Sequence, residues 1–329
     1  MNTFTKRLIG LCCGLGLATS ALAQAAFPAR PVTLMVPYPA GGVSDLIARK
    51  VHNVLGKDLG QAIVIENLGG AGGAIAAQKV LNAPADGHLV FQGSPNELIL
   101  APLAISSVRY RSEDFRQVQR IATAPLVVVA RKDFPANNAD ELVAAVRKAA
   151  ADGRPVTYAS VGNGSFYHLL GEQMAKVVGA SMLHVPYKGG APILQDMLAG
   201  RIDLFITPYG APHIAMDKEG RLKFVTALSA QRQALIPHVP AVDEGKALKG
   251  FHYTIGTGYF VKADTPEPVA QALNTALGKV LADPELRSAL AAQAQIVSEP
   301  MGLKAAQDAY VKDMTLYRGI AHSIQLKAE

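Results

Sequence analysis

The chain has 329 residues, with 32 Lys and Arg against 26 Asp and Glu, and aromatic side chains make up only 6% of it. The charges are scattered without a Lys/Arg block, so composition gives no case for a nucleic-acid partner, and the length points to two domains. The eight histidines lack His-x-x-x-His or His-x-His spacing supported by carboxylates, and nothing calls for a metal or a cofactor.

Lys6 and Arg7 precede an uncharged stretch from Leu8 to Ala18 and the small residues of Thr19–Ala23. This is the pattern of an export leader cleaved after Ala23, and it places the mature chain in the periplasm. Both cysteines, Cys12 and Cys13, leave with the leader. Leu11 before Cys12 argues against a lipid anchor. The remaining 306 residues carry 30 basic and 26 acidic side chains and no thiol.

Strand and helix signals then alternate. Val32–Val36 reads as a strand, with a glycine-rich turn behind it and a helix running toward Leu55. Ala62–Ile65 and Leu89–Phe91 repeat the scheme, which builds a parallel α/β sheet. Leu126–Ala130 is the strongest strand, followed by a helix capped at Asn138. Val156, Leu183, Ile202 and Phe224 mark further strands, and a helix is expected over Tyr167–Val178. Thr257–Val261 returns to a strand before three C-terminal helices, the last over Lys304–Ser323. One economical arrangement makes residues 24–125 and 255–329 one lobe and 126–254 a second, inserted lobe. Two consecutive domains also satisfy the pattern.

The turn Tyr38–Asp45 places Pro39, Ala40, Gly41 and Gly42 between strand and helix. The first turn of a helix has unpartnered N–H groups and a positive dipole end, a natural seat for a carboxylate. An ordinary turn capped by Ser44 or Asp45 is the alternative. Gly162, Asn163, Gly164 and Ser165 repeat this arrangement ahead of His168. A serine near a histidine raises acyl transfer, but the order lacks the Gly-x-Ser-x-Gly elbow and no orienting acid is marked, so no catalytic residue is assigned. Tyr187 and Lys188 form a third candidate, to cover a ligand and raise the local potential. Asp203, a charge in an apolar strand, needs donors and reads as an organiser of the site. Gly69–Gly73 lacks the Gly-Lys-Ser/Thr ending of a phosphate loop.

The motifs FPARP (27–31), VPYPAGGVSD (36–45), VIEN (64–67), GAGG (70–73), PADG (84–87), YASVGNGS (158–165), HVPYKG (184–189), GRID (200–203) and LIPHVP (235–240) occur in this order. Together they resemble the Bug (TctC-like) receptors of tripartite tricarboxylate transporters over nearly the whole mature chain. The resemblance implies a two-lobe, type II Venus-flytrap fold of α/β lobes. It implies a binding function without catalysis, in which a monomer takes a small organic acid or amino acid to membrane permease subunits. The carboxylate would sit between the Pro39–Gly42 and Gly162–Ser165 turns, with Tyr38, Asp45, Ser94, Tyr187 and Asp203 lining or supporting the pocket. A sensory receptor, a secreted hydrolase and a structural protein are the competing classes. The chain departs from its family at Glu97, which would disfavour a second acid group if it faced the cleft, and in having no tryptophan.

Overall fold

The computed structural model describes residues 27–323, 326 and 328; the leader and both cysteines lie outside the described residues. Chain order begins β1 (Val32–Val36), α1 (Val43–Leu59), β2 (Ile63–Asn67), α2 (Ala74–Asn82), β3 (Leu89–Gly93), α3 (Ala101–Ala104) and β4 (Phe115–Arg131). It continues α4 (Ala139–Ala151), β5 (Thr157–Ser160), α5 (Phe166–Val178), β6 (Leu183–Pro186), α6 (Gly190–Leu198), β7 (Leu204–Pro208), α7 (Ala211–Lys218) and β8 (Leu222–Ala227). It closes with β9 (Thr254–Lys262), α8 (Glu267–Ala282), α9 (Pro284–Ala291), β10 (Ile296–Val297) and α10 (Leu303–Ser323).

The sheet is mixed, in the order β2-β1-β3-β9-β4-β7-β5-β6, with β8 and β10 also paired to β4. The three N-terminal strands are parallel, as are β5, β6 and β7, as strand–helix–strand crossovers require. Strand β4 joins the two groups. Its first part pairs antiparallel with β9, ending at Pro125 opposite Thr254. From Leu126 to Ala130 it pairs instead with β7, and from Val127 onward also with β8.

Strand β4 is far longer than the apolar run Leu126–Ala130. Arg116, Gln117, Gln119 and Arg120 break the hydrophobic alternation, yet Gln117 and Gln119 are buried. Gln119 is held because its amide donates to Met301 O at 3.2 Å, and the Gln117 N–H donates to Gln307 Oε1 at 3.2 Å. The side-chain Oε1 of Gln117 and that of Gln119 are buried without a hydrogen-bond partner among the described residues, so these positions are only partly satisfied. Arg120 is paired with Asp313 of α10.

Alternation along β1 sends Val32, Leu34 and Val36 into a core with Ile47, Val51 and Leu55 of α1 and with α8. Met35 faces the opposite core, which runs without a break through β4 and β7 to α5. Phe166 at the start of α5 meets Tyr317 of α10 edge-on, ring centroids 5.0 Å apart. Both groups of strands thus share one hydrophobic layer.

At the far end of β7, Asp203 ties three strands together. Its carboxylate accepts Arg131 Nε at 2.8 Å and both the N–H and hydroxyl of Thr157 at 2.9 Å. Asp203→Ala leaves the Arg131 guanidinium and two Thr157 donors without that acceptor. Urea unfolding should show a loss of roughly 2–3 kcal/mol.

Candidate functional site

The turn after β1 is held from three sides. Asp45 Oδ2 accepts the Gly41 N–H and Arg49 Nε, each at 2.9 Å. The Asn67 amide donates to Tyr38 O at 3.1 Å, and the Gln92 amide donates to Ser44 O at 2.7 Å. Gly41 adopts φ +84, which suits glycine. Burial pushes Asp45 up, but its bonds to Arg49 and Gly41 outweigh this and hold its carboxyl below the usual range. Asp45 is therefore an anion already matched to a cation, and it supports the turn from behind.

Helix α1 opens with Gly42 at its N-cap, and no side chain caps it. Leu46 is the first residue of α1 whose N–H reaches a carbonyl, Gly42 O at 3.0 Å. The N–H groups of Val43, Ser44 and Asp45 are left without an acceptor at the positive end of the helix dipole. Helices α6 and α7 open in the same way, with Gly189 and Gly210 at their N-caps and no capping side chain. At α7 the Ala211 N–H is taken by Gln293 Oε1 at 3.2 Å.

These three helix starts border one cavity of about 150 Å³ between the strand groups. Its wall includes Tyr38, Gly42, Ser94 and Asn96 on one side and Tyr167, Gly190, Thr207 and His213 on the other. Among the described residues that line it there is no Asp, Glu, Lys or Arg. Leu46, Ile47, Leu194, Phe205 and Ile255 make most of it apolar.

The turn expected to face α1 is used differently. At α5 the Ser165 hydroxyl accepts the His168 N–H, His168 Nδ1 accepts the Gly164 N–H at 2.9 Å, and Asn96 Oδ1 accepts the Phe166 N–H at 2.7 Å. The donors read from Gly162–Ser165 are largely spent inside the protein. Asn96, which also donates to Tyr38 OH at 3.2 Å, latches α5 to the opposite wall. A Cβ on Gly164 would lie 1.7 Å from Ala104 Cβ, and one on Gly162 would lie 3.4 Å from Gly72 N. Gly162, Asn163, Gly164, Ser165 and His168 thus sit where the two strand groups meet and are not among the residues lining the cavity.

Of the other expected residues, Tyr38, Pro39, Gly41, Gly42 and Ser94 line the cavity. Ala40 is exposed on the turn. Tyr187 donates its hydroxyl to Asp196 at 2.6 Å and Lys188 is exposed, so neither covers the cavity. Asp203 organises the distal end of its sheet, because its donors come from Arg131 and Thr157. Glu97 faces neither cleft nor solvent. It is buried behind Ser94, whose N–H and hydroxyl donate to Oε2 at 2.6 and 2.8 Å. Sequence reasoning missed Asn96, Tyr167, Thr207, His213 and Gln295. Gly210 after β7 repeats the strand–glycine–helix pattern and was the available signal for α7.

A serine–imidazole contact does occur, at 2.7 Å between Ser160 Oγ and His184 Nε2. Ser160 is fully buried and its hydroxyl donates to Gly162 O at 2.9 Å, which fixes the loop. His184 stacks on His168 with centroids 3.9 Å apart, and burial together with the His168 charge pushes it down to about 4. Among the described residues, no cluster of three or more His, Cys, Asp or Glu is placed to hold a metal.

The family model described as the tripartite tricarboxylate transporter family receptor matches residues 47–317. The chain belongs to this family. An Agrobacterium vitis protein from the ttuE–ttuC' intergenic region is 34% identical over 289 residues, 88% of this chain and 82% of the relative. BugT of Bordetella pertussis is 32% identical over 243 residues, 70% and 72% of the two chains. The solved periplasmic binding protein BugD superposes with a TM-score of 0.84 at 29% identity, covering 92% of this chain and all of its own. MatC from Rhodopseudomonas palustris with bound malate gives 0.81 at 28% identity, covering 89% and 99%. The fold is therefore the two-lobe periplasmic binding fold, and the chain is a solute-binding receptor of the tripartite tricarboxylate transporter family. Among the described residues no helix is long and apolar enough to cross a membrane.

Two outcomes test this geometry. Gly164→Ala should weaken lobe closure, because its Cβ meets Ala104, and Ala104→Gly should restore much of the loss. A residual cost of roughly 1–2 kcal/mol for a side chain at φ +70 remains. Small-angle scattering of the single and double variants reads the closure. Glu97 is raised to about 7 by burial, against the pull of Tyr38 and Ser94. Its folded pKa lies above the unfolded one, so the folded state keeps the proton longer and stability falls as pH rises between about 4.5 and about 7. Glu97→Gln should remove that fall, gaining roughly 3 kcal/mol relative to wild type at pH 8 compared with pH 4 in urea unfolding.

Proposed function

We propose that the cavity holds the carboxylate of one small metabolite at the start of α1, and that the loaded receptor delivers it to membrane permease subunits without catalysis. The observation that carries this reading is the set of Val43, Ser44 and Asp45 N–H groups with no acceptor, at a helix start that borders the cavity. A carboxylate placed there gains charge-assisted hydrogen bonds and a favourable dipole without needing an arginine. The starts of α6 and α7 add positive potential from the opposite wall. Besides the malate of MatC, an R. palustris neighbour with a TM-score of 0.84 at 26% identity carries adipate.

In this reading residues 24–125 with 255–329 form one lobe and 126–254 the other. The supporting feature is the change of partner along β4 at Pro125–Leu126, opposite Thr254. Bending of the backbone there opens and closes the cavity as a hinge. The chain acts as an exported monomer after cleavage behind Ala23.

Native mass spectrometry of the exported protein should give a chain beginning at Gln24 with a small acid retained. Gly42→Leu probes the grip, since φ −80 accepts any residue and a Cβ meets only Pro39 O at 3.6 Å. The fold should persist, with an unchanged melting temperature, while calorimetric binding of the retained acid is lost. Wild-type affinity in that variant overturns the proposal.

A further inference from the structure

Glu97 lies in the turn between β3 and α3 and is fully buried. Ser94 supplies two donors to its Oε2, while Oε1 is buried without a hydrogen-bond partner among the described residues. A Cβ on Gly73 would lie 2.2 Å from Glu97 Cγ, so the Ala71–Gly73 backbone closes over the side chain. A buried acid that meets no cation is costly to ionise.

The groups packed around Glu97 supply no such cation. Tyr38, Tyr110 and Tyr167 face it, and burial followed by the Glu97 charge pushes each phenol up. Helix α10 brings Tyr310 and Asp313, and Asp313 is already paired with Arg120. Helix α2 brings Lys79, which is exposed and paired with Glu66. At α5, His168 Nδ1 is occupied by the Gly164 N–H. Strand β3 and helix α3 carry no titratable side chain.

Ser94 lines the cavity, so Glu97 stands one side chain behind its wall. Tyr38 and Tyr167, which feel the Glu97 charge, line opposite sides of the same cavity. That charge therefore reaches the space offered to the solute, where a protein interior screens it far less than water would.

We infer that Glu97 makes solute capture proton-linked, so that an anion seated at the start of α1 is bound together with one proton held by the Glu97 carboxyl. The inference rests on the carboxylate reading of the α1 start and deepens it. Like charges this close do not both persist, and one of the two acids takes a proton from water. The solute keeps its charge because the α1 donors favour the ionised form. Glu97 takes the proton because burial already holds it at about 7. Affinity for an anion then rises as pH falls.

The test is calorimetry of the mature receptor with butanoate, malate and adipate. The tightest-binding of the three should lose roughly tenfold in affinity between pH 6 and pH 8. At pH 7, in buffers of different ionisation enthalpy, binding should take up about half a proton per solute. Glu97→Gln keeps the size of the neutral acid. It should bind at pH 8 as tightly as wild type does at pH 6, without proton uptake. Uptake that survives in this variant places the proton elsewhere and overturns the inference. If the variant does not fold, infrared difference spectra of wild type with 13C-labelled solute at pH 8 decide. A gain in the unlabelled protonated-carboxyl band supports the inference, and no gain overturns it. Binding that ignores pH but is still lost with Gly42→Leu overturns the inference and leaves the carboxylate seat standing. No binding of any of the three at any pH removes both.

Discussion

Three backbone N–H groups at the start of α1 have no partner among the described residues, and much of the surrounding structure serves to keep them that way. Glycine at the N-cap supplies no side-chain acceptor. Asp45, the one carboxylate in the first turn, is turned back onto Gly41 and Arg49 and is neutralised there. Gln92 fixes Ser44 O, with its own carbonyl held by the Tyr259 hydroxyl at 3.1 Å. A helix start can attract an anion only where nearby acids are compensated and competing acceptors are absent. Both conditions hold here, and both are met by uncharged or internally paired side chains.

The opposing wall follows a different logic. Helix α5 looked from its glycines and serine like a second anion seat, but its donors close onto Ser165, His168 and Asn96. It therefore works as a latch. The positive potential facing α1 comes from α6 and α7, whose glycine N-caps leave their starts without capping side chains. The cavity is thus bordered by uncapped helix starts on both sides, and no full charge lines it among the described residues.

Local patterns made much of this legible. The strands β1, β3 and β7 and the helices α1, α5 and α8 follow from apolar runs, turn glycines and caps, which are local signals. The tight turn at Gly41 and Gly42 ahead of α1 was readable for the same reason. Strand β4 was half hidden, because Gln117 and Gln119 are polar residues facing inward, bonded in part to residues nearly 200 positions away. The hydrogen bonding at the start of α5 was not readable, because its donors are consumed in part by Asn96, 70 positions earlier, and no local rule reveals that pairing. Asp203 sits in a strand that leads to the cavity, but at its distal end, and sequence spacing alone does not say which end is near.

The latch bears on how closure and binding are coupled. The Asn96–Phe166 hydrogen bond and the packing of Gly164 on Ala104 join the lobes without using the cavity. The arrangement seen here thus has stabilising contacts of its own, and a ligand shifts an equilibrium between arrangements only by what it adds to one over the other. A latch that is too strong would close the receptor empty; one that is too weak would make binding bear the whole cost of ordering two lobes.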